Sequence, residues 1–301
     1  MSLSSSALPL SHALLALAVT AVWGTNFVII HIGLDHLPPL LFAGLRFLGA
    51  FLPGAFLLKR PDVPWRNLAA YGVLVGAGQF GLLFLAMNGH ITPGLASLVV
   101  QTQVFFTIGM AAAISGERVH RRQILALLVA LAGVAIILVH TDATTTALGL
   151  ALVLAAAASW AASNIVVRAT PSADMLAYVV WASLFSVPPL FAFSFVFEGW
   201  PAIRDGLASA DAATWAAVAW QAVGNTLFGY AAWSWLLARH PVANVAPMAL
   251  MVPVFGMGAS ALWLGEPLQA WKLIAAALVM LGLALNLLWP RIAAWLRARA
   301  V

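Results

Sequence analysis

Hydrophobic residues in this chain come in long runs, and polar ones are largely confined to the gaps between them. Ten apolar stretches can be traced, at about 12–33, 38–58, 67–88, 93–115, 122–140, 147–167, 175–197, 213–237, 242–264 and 270–289. Each is about 20 residues long. A helix of that length, rising about 1.5 Å per residue, crosses the hydrocarbon core of a bilayer. None of the runs has the period-two alternation of a barrel strand, so helices must carry the spans. The pattern predicts an all-α polytopic membrane protein of ten transmembrane helices.

One polar interruption organises the rest. Within the apolar run from Ala13 to Ile32 lies Ala21-Val22-Trp23-Gly24-Thr25-Asn26, with Asn26 at mid-depth. An amide left without partners there costs roughly 2–7 kcal/mol, so Asn26 is expected to face other helices or a wet cavity. The signature returns as Ser159-Trp160-Ala161-Ala162-Ser163-Asn164. A shift of 137 places Trp23 on Trp160, Asn26 on Ser163 and Phe27 on Asn164. A shift of 149 places Gly116-Glu117 on Gly265-Glu266 and Gly133 on Gly282, the extra residues being assigned to a loop at 198–212. Such self-similarity marks a repeat. Five spans per repeat, an odd number, insert the second copy upside down, and inverted repeats place a substrate site at their interface near the midplane. The expected units are residues 1–141 and 142–290, followed by a basic cytoplasmic tail, 291–301, lying on the membrane surface.

Composition narrows the class. Of 301 residues 63% are hydrophobic and 8% charged, against about 25% charged in soluble domains. The spans leave short loops and tails, with no room for an extramembrane domain. Cysteine is absent, which excludes disulfides, thiolate metal sites and cysteine nucleophiles. The formal charge of +5 sits in short loops and reads as topology, not as a nucleic-acid surface. One side collects Lys59, Arg60, Arg66, Arg118, Arg121, Arg122, Arg168, Arg239, Arg291, Arg297 and Arg299, while the other has Arg204 and Lys272. That bias puts both termini in the cytoplasm. Residues 1–11 lack Lys and Arg, so the first run reads as a retained span and not a cleaved signal.

The order and spacing of several motifs identify the chain as similar to a known family. Trp23-Gly24-Thr25-Asn26, Leu45-Arg46-Phe47, Gly116-Glu117, Ser159-Trp160-Ala161, Gly229-Tyr230-Ala231-Ala232-Trp233 and Leu264-Gly265-Glu266-Pro267 resemble the ten-span, EamA-type branch of the drug/metabolite transporter superfamily. The resemblance covers essentially the whole chain and implies export of amino acids or related metabolites. The first half has Gln79-Phe80 where the second has Phe228-Gly229, so the pocket is expected to be asymmetric.

The polar residues within spans are the candidate substrate-binding set: Asn26, Gln79, Gln101, Gln103, Ser163, Asn164, Asn225 and Tyr230, walled by Trp23, Trp160 and Trp233. Gln221 and Asn225 stand one helical turn apart, on one face. Any one of these residues could instead serve an interhelical hydrogen bond. Arg46 is the one charge well inside a span; it either meets a substrate carboxylate, a headgroup or water, or clamps helix ends. Pro247 and Pro253 bracket six residues of the ninth span, as a hinge in a broken helix or as a fixed kink. Gly116-Glu117 and Gly265-Glu266 read as helix caps or as gate latches.

The acidic residues and histidines fall in or beside loops, so no buried titrating group for proton drive is evident. No phosphate loop surrounds either lysine, and no His-Glu-x-x-His occurs. A metal, a cofactor and an enzymatic activity are not expected. The sequence reads as a monomeric inner-membrane exporter of small amino acids or related zwitterions, working by alternating access as a uniporter or exchanger. Its partners are the substrate and the lipid bilayer. Efflux of hydrophobic drugs or sugar-containing metabolites is the alternative within transport. A structural or receptor subunit, or an intramembrane enzyme, is the alternative outside it.

Overall fold

The structure, a computed structural model, describes residues 8–168, 170 and 174–299. Their regular structure is entirely helical, with no strand among the described residues. In chain order they form α1 (Leu10–Leu34), α2 (Pro39–Leu57), α3 (Trp65–Met87), α4 (Pro93–Ile114), α5 (Arg121–Val139), α6 (Ala147–Val167), α7 (Met175–Phe193), α8 (Gly199–Ser209), α9 (212–239), α10 (242–264) and α11 (Ala270–Arg299). Nine segments of the described chain are long and apolar enough to cross a membrane. The tenth expected span is α9, helical from end to end, but Gln221, Asn225, Tyr230 and its tryptophans lower its hydropathy.

Local chemistry sets the ends. Pro39 and Pro93 open α2 and α4, where a missing N–H is no loss. Thr146, Asp174 and Asp211 accept from the first free N–H groups of α6, α7 and α9. Gly116 and Gly265 close α4 and α10 with φ of 67° and 66°, left-handed caps that a side chain would strain.

One expectation is corrected here. Residues 198–212 are not simply a loop: α8 lies within them, turned away from α7 by Gly199 at φ 81°. It buries Ile203 and Gly206 and exposes Trp200 and Leu207, an amphipathic face too short for a hydropathy scan. The tail at 291–301 begins as a continuation of α11, whose backbone is helical to Arg299. Its side chains lie outside the described residues.

Helix contacts come in reciprocal sets. α1 packs on α10 as α6 packs on α4; α3 lies against α6 and α7 as α9 lies against α1 and α2; α2 pairs with α7, and α5 with α11. The α5–α11 seam shows the symmetry at atomic scale. A methyl group at Gly133 would come within 2.8 Å of the Ala275 carbonyl, and one at Gly282 within 2.6 Å of the Ala126 carbonyl. Each contact is the other carried through the 149-residue shift. Small residues let these backbones approach closely, which supplies association energy where lipid removes the hydrophobic drive.

Helix type also changes in matching places. α3 widens into a π segment at Leu74–Gly81 and α9 at Trp220–Phe228. α4 tightens into a 3₁₀ turn at Val100–Thr102 and α10 at Ala246–Leu250. Each of these irregular segments contributes to the wall of one interior cavity.

Candidate functional site

The cavity holds about 400 Å³. In α1, Trp23 and Asn26 are three residues apart on one face, and both line the wall. The Trp23 indole donates to the Asn225 carbonyl at 3.2 Å. Its ring lies 5.2 Å from Trp233 and 5.9 Å from Tyr230, centroid to centroid. Trp160 and Asn164, four apart on α6, face the same space. Asn164 donates to Gln103 Oε1 at 3.0 Å and to Thr107 Oγ1 at 3.3 Å, so this pair also ties α6 to α4. Gln101, beside Gln103 on α4, is on the wall as well, as are Asn225, Tyr230 and Trp233 of α9.

Gln79 is brought to the wall by the π segment of α3. Its Oε1 and the Asn26 Oδ1 are buried without a hydrogen-bond partner in the protein. Such orphaned acceptors cost about 1–3 kcal/mol each. The glycines around Gln79 let neighbours close in: Ser159 Oγ donates to the Leu74 carbonyl and Ser186 Oγ to the Gly72 carbonyl, both at 2.8 Å. α3 is thereby pinned to α6 and α7.

Arg46 lies on the wall and is 1% exposed. Its Nη2 donates to Thr226 Oγ1 at 3.3 Å, and its guanidinium stacks 3.5 Å from the Phe80 ring centroid. Nε and Nη1 have no partner in the protein. No other Arg, and no Lys, His, Asp or Glu, lines the cavity among the described residues.

Of the substrate-binding candidates, Ser163 falls elsewhere. Ser163 is fully buried and spends its hydroxyl on the Trp160 carbonyl of its own helix, off the wall. Pro247 sits in the 3₁₀ turn of α10, and Pro253 in the first turn of the α-helix that follows. The ninth span thus changes helix type at Pro247 without losing its helical course, with Ala246, Ala249, Leu250 and Val252 reaching the cavity around the two prolines. Gln221, expected beside Asn225, is buried away from the wall. Both lie in the π segment, whose backbone bonds join residues five apart, so four-residue spacing no longer aligns side chains; the Gln221 carbonyl also accepts from Thr226 Oγ1 at 2.9 Å.

Tyr71 and Asn286 are wall residues that the sequence reading missed. Tyr71 precedes Gln79 by two helical turns, and Asn286 is the lone amide of the last apolar run. The reasoning applied to Asn26 would have flagged both. The Tyr71 ring packs edge-on against Tyr178, with centroids 4.9 Å apart.

The two Gly-Glu pairs are built differently. Glu266 reaches across to the start of α4, accepting from Thr92 Oγ1 and, at 3.1 Å, from the Gly94 N–H. It also accepts from Ser260 Oγ and pairs with Lys272 at 2.9 Å. The Lys272 and Glu266 side chains are 4% and 7% exposed. Burial pushes the Glu266 carboxyl up, but Ser260, Thr92 and Lys272 together outweigh it and hold the acid below its ordinary value. Glu117 makes an exposed bridge to Arg168 at 3.0 Å. A further acid, Glu198, accepts from the Leu40 and Leu41 N–H groups at the start of α2.

Comparison with known proteins places this geometry. The profile of the EamA-like transporter family matches residues 10–139 and again residues 147–288. A probable amino-acid metabolite efflux pump of Salmonella typhimurium is 39% identical over 92% of this chain and 95% of its own. A protein of the same description from Escherichia coli K12 is 38% identical over 90% and 93%. A probable terminal-alkyne amino-acid exporter of Streptantibioticus cattleyicolor is 29% identical over 92% and 93%. One solved crystal structure superposes with a TM-score of 0.64 over 93% of this chain and 96% of that one, at 19% identity, a likeness of fold alone.

Proposed function

The chain belongs to the EamA-like transporter family, and on that premise we propose that it exports small amino acids or related zwitterionic metabolites across the inner membrane. The observation that carries this reading is the cavity of about 400 Å³, walled by amides and tryptophans from both halves of the chain. Small-molecule sites run from roughly 300 to 1,000 Å³, so this one suits a small metabolite better than a bulky drug. Amide groups can replace the hydration of an ammonium and a carboxylate, and the indole rings accept an apolar side chain. Relatives described as amino-acid metabolite efflux pumps support the substrate class and the direction.

The mechanism we infer is alternating access. The units 1–141 and 142–290 act as inverted repeats that rock about the cavity, with both termini in the cytoplasm. The reciprocal contacts of α5 with α11 and of α1 with α10 support a two-fold relation between them. The 3₁₀ turn at Pro247 and the π segments supply backbone that can change shape where it lines the cavity. The wall carries no carboxylate or histidine among the described residues, which favours uniport or exchange.

Purified protein in sealed vesicles, tested with radiolabelled amino acids, checks this directly. Asn26→Ala and Trp160→Ala are expected to weaken flux while leaving folded protein in the membrane. Wild-type flux in both variants would refute the cavity assignment. Accumulation driven by a pH gradient alone would refute the uncoupled mechanism.

A further inference from the structure

We propose that Arg46 binds the carboxylate of the transported molecule while Asn26 and Gln79 accept hydrogen bonds from its ammonium, so that the cavity selects compounds bearing both groups and disfavours a cationic side chain. This rests on the export reading above and names the chemistry by which the same cavity recognises its cargo.

Arg46 is a buried charge with no acid beside it on the wall. Thr226 occupies Nη2 alone, and the Phe80 face steadies the guanidinium plane. Nε and Nη1 remain without partners. A charge in the membrane interior that lacks a counter-ion and keeps free donors is suited to a transient anion. The orphaned acceptors complete the pattern. Asn26 and Gln79 line the same wall, and their Oδ1 and Oε1 are buried without donors. Free donors on a cation and free acceptors on amides are the complement of a zwitterion. A phosphate would set its oxygens against those acceptors and would meet one cation only. A cationic side chain would meet Arg46 in a low-dielectric space with no carboxylate to receive it.

The test uses purified wild-type protein in vesicles and the best-transported member of a panel of radiolabelled neutral amino acids. Competitors are that amino acid, its carboxamide, its 2-oxo acid and lysine. Loss of a charge-assisted bond predicts that the carboxamide and the 2-oxo acid compete roughly 10- to 100-fold more weakly. Lysine is expected to compete more weakly than the neutral amino acid, and equal competition by lysine would overturn the exclusion of cationic side chains. Arg46→Gln should narrow the gap between amino acid and carboxamide to about threefold or less, with Arg46→Lys restoring part of it. Equal competition by amino acid and carboxamide on wild type overturns the proposal, as does Arg46→Gln protein that transports with the gap intact. Should Arg46→Gln fail to fold, heat-unfolding shifts of the wild type decide: the amino acid should stabilise and the carboxamide should not, and equal shifts overturn the assignment. Flux without discrimination leaves the export reading standing and removes Arg46 from it. Absence of flux for every panel member refutes the export reading and this inference together.

Discussion

Breaking the Glu266–Lys272 pair tests how the seam between α4 and α10 is held. The ions are 2.9 Å apart, with side chains 4% and 7% exposed, so neither can turn to water when its partner goes. Removing one member of such a pair costs about 3–5 kcal/mol. Lys272→Met should fall near the lower bound, because Glu266 keeps donors from Thr92, Gly94 and Ser260. Glu266→Gln should fall near the upper bound, because it strands a buried ammonium. At about 2–4 °C per kcal/mol, these losses correspond to roughly 6–20 °C in heat-unfolding midpoint. The double variant should lose less than the sum of the singles by about 1 kcal/mol or more, since both remove one interaction. Arg168→Ala is the internal control. Its bridge to Glu117 is exposed, 52% and 57%, and worth about 0–1 kcal/mol. Heat scans followed by tryptophan fluorescence on detergent-purified protein provide the assay. The pH dependence has a definite sign. The Glu266 carboxyl is held below its ordinary 4.5, so its contribution is complete above that pH and is lost as the pH falls through the lowered value. Single variants melting within about 1 °C of wild type, or a pair contribution that fades on raising the pH from 5 to 7, would refute the reasoning.

Three further outcomes follow from the geometry. Ser163→Ala should leave the KM and rate of transport unchanged, since its hydroxyl is spent on Trp160 within the helix; a KM shift beyond about threefold would put it in the site. Gly133→Leu should destabilise or unfold the protein, because a Cβ there already meets the Ala275 carbonyl at 2.8 Å, whereas Gly109→Ala, facing open space, should change the melting midpoint by no more than about 2 °C. The chain contains no cysteine, so single substitutions report topology cleanly: Lys59→Cys should react with an impermeant maleimide only from the cytoplasmic face, and Arg204→Cys only from the opposite face.

Legibility from sequence followed how local the physics was. Apolar run length placed the helices within a few residues, because a span must satisfy its own backbone whatever surrounds it. Gly116 and Gly265 were readable as caps since the left-handed residue is chosen one position at a time. The mid-depth amides Asn26, Gln79 and Asn164 stood out because hydrocarbon penalises them wherever they point. Their destination was less readable. A helix that is apolar on every face has no stripe marking its buried side, so nothing distinguished Ser163, turned into its own helix, from Asn164, turned into the cavity. Tyr71 and Asn286 carried the same signal of a polar group within an apolar run, and the pattern could have found them.

Residue order alone therefore determined that this chain crosses a membrane many times, that it repeats itself, and which polar groups need shelter from lipid. Tertiary structure decided which of them share a cavity, that Gln221 is turned away by a π segment, and that Glu266 is buried against α4 while Glu117 stays at the surface. Those outcomes depend on helix irregularity and on contacts between helices distant in the chain, where close packing and the satisfaction of buried polar atoms choose among faces that sequence pattern leaves equivalent.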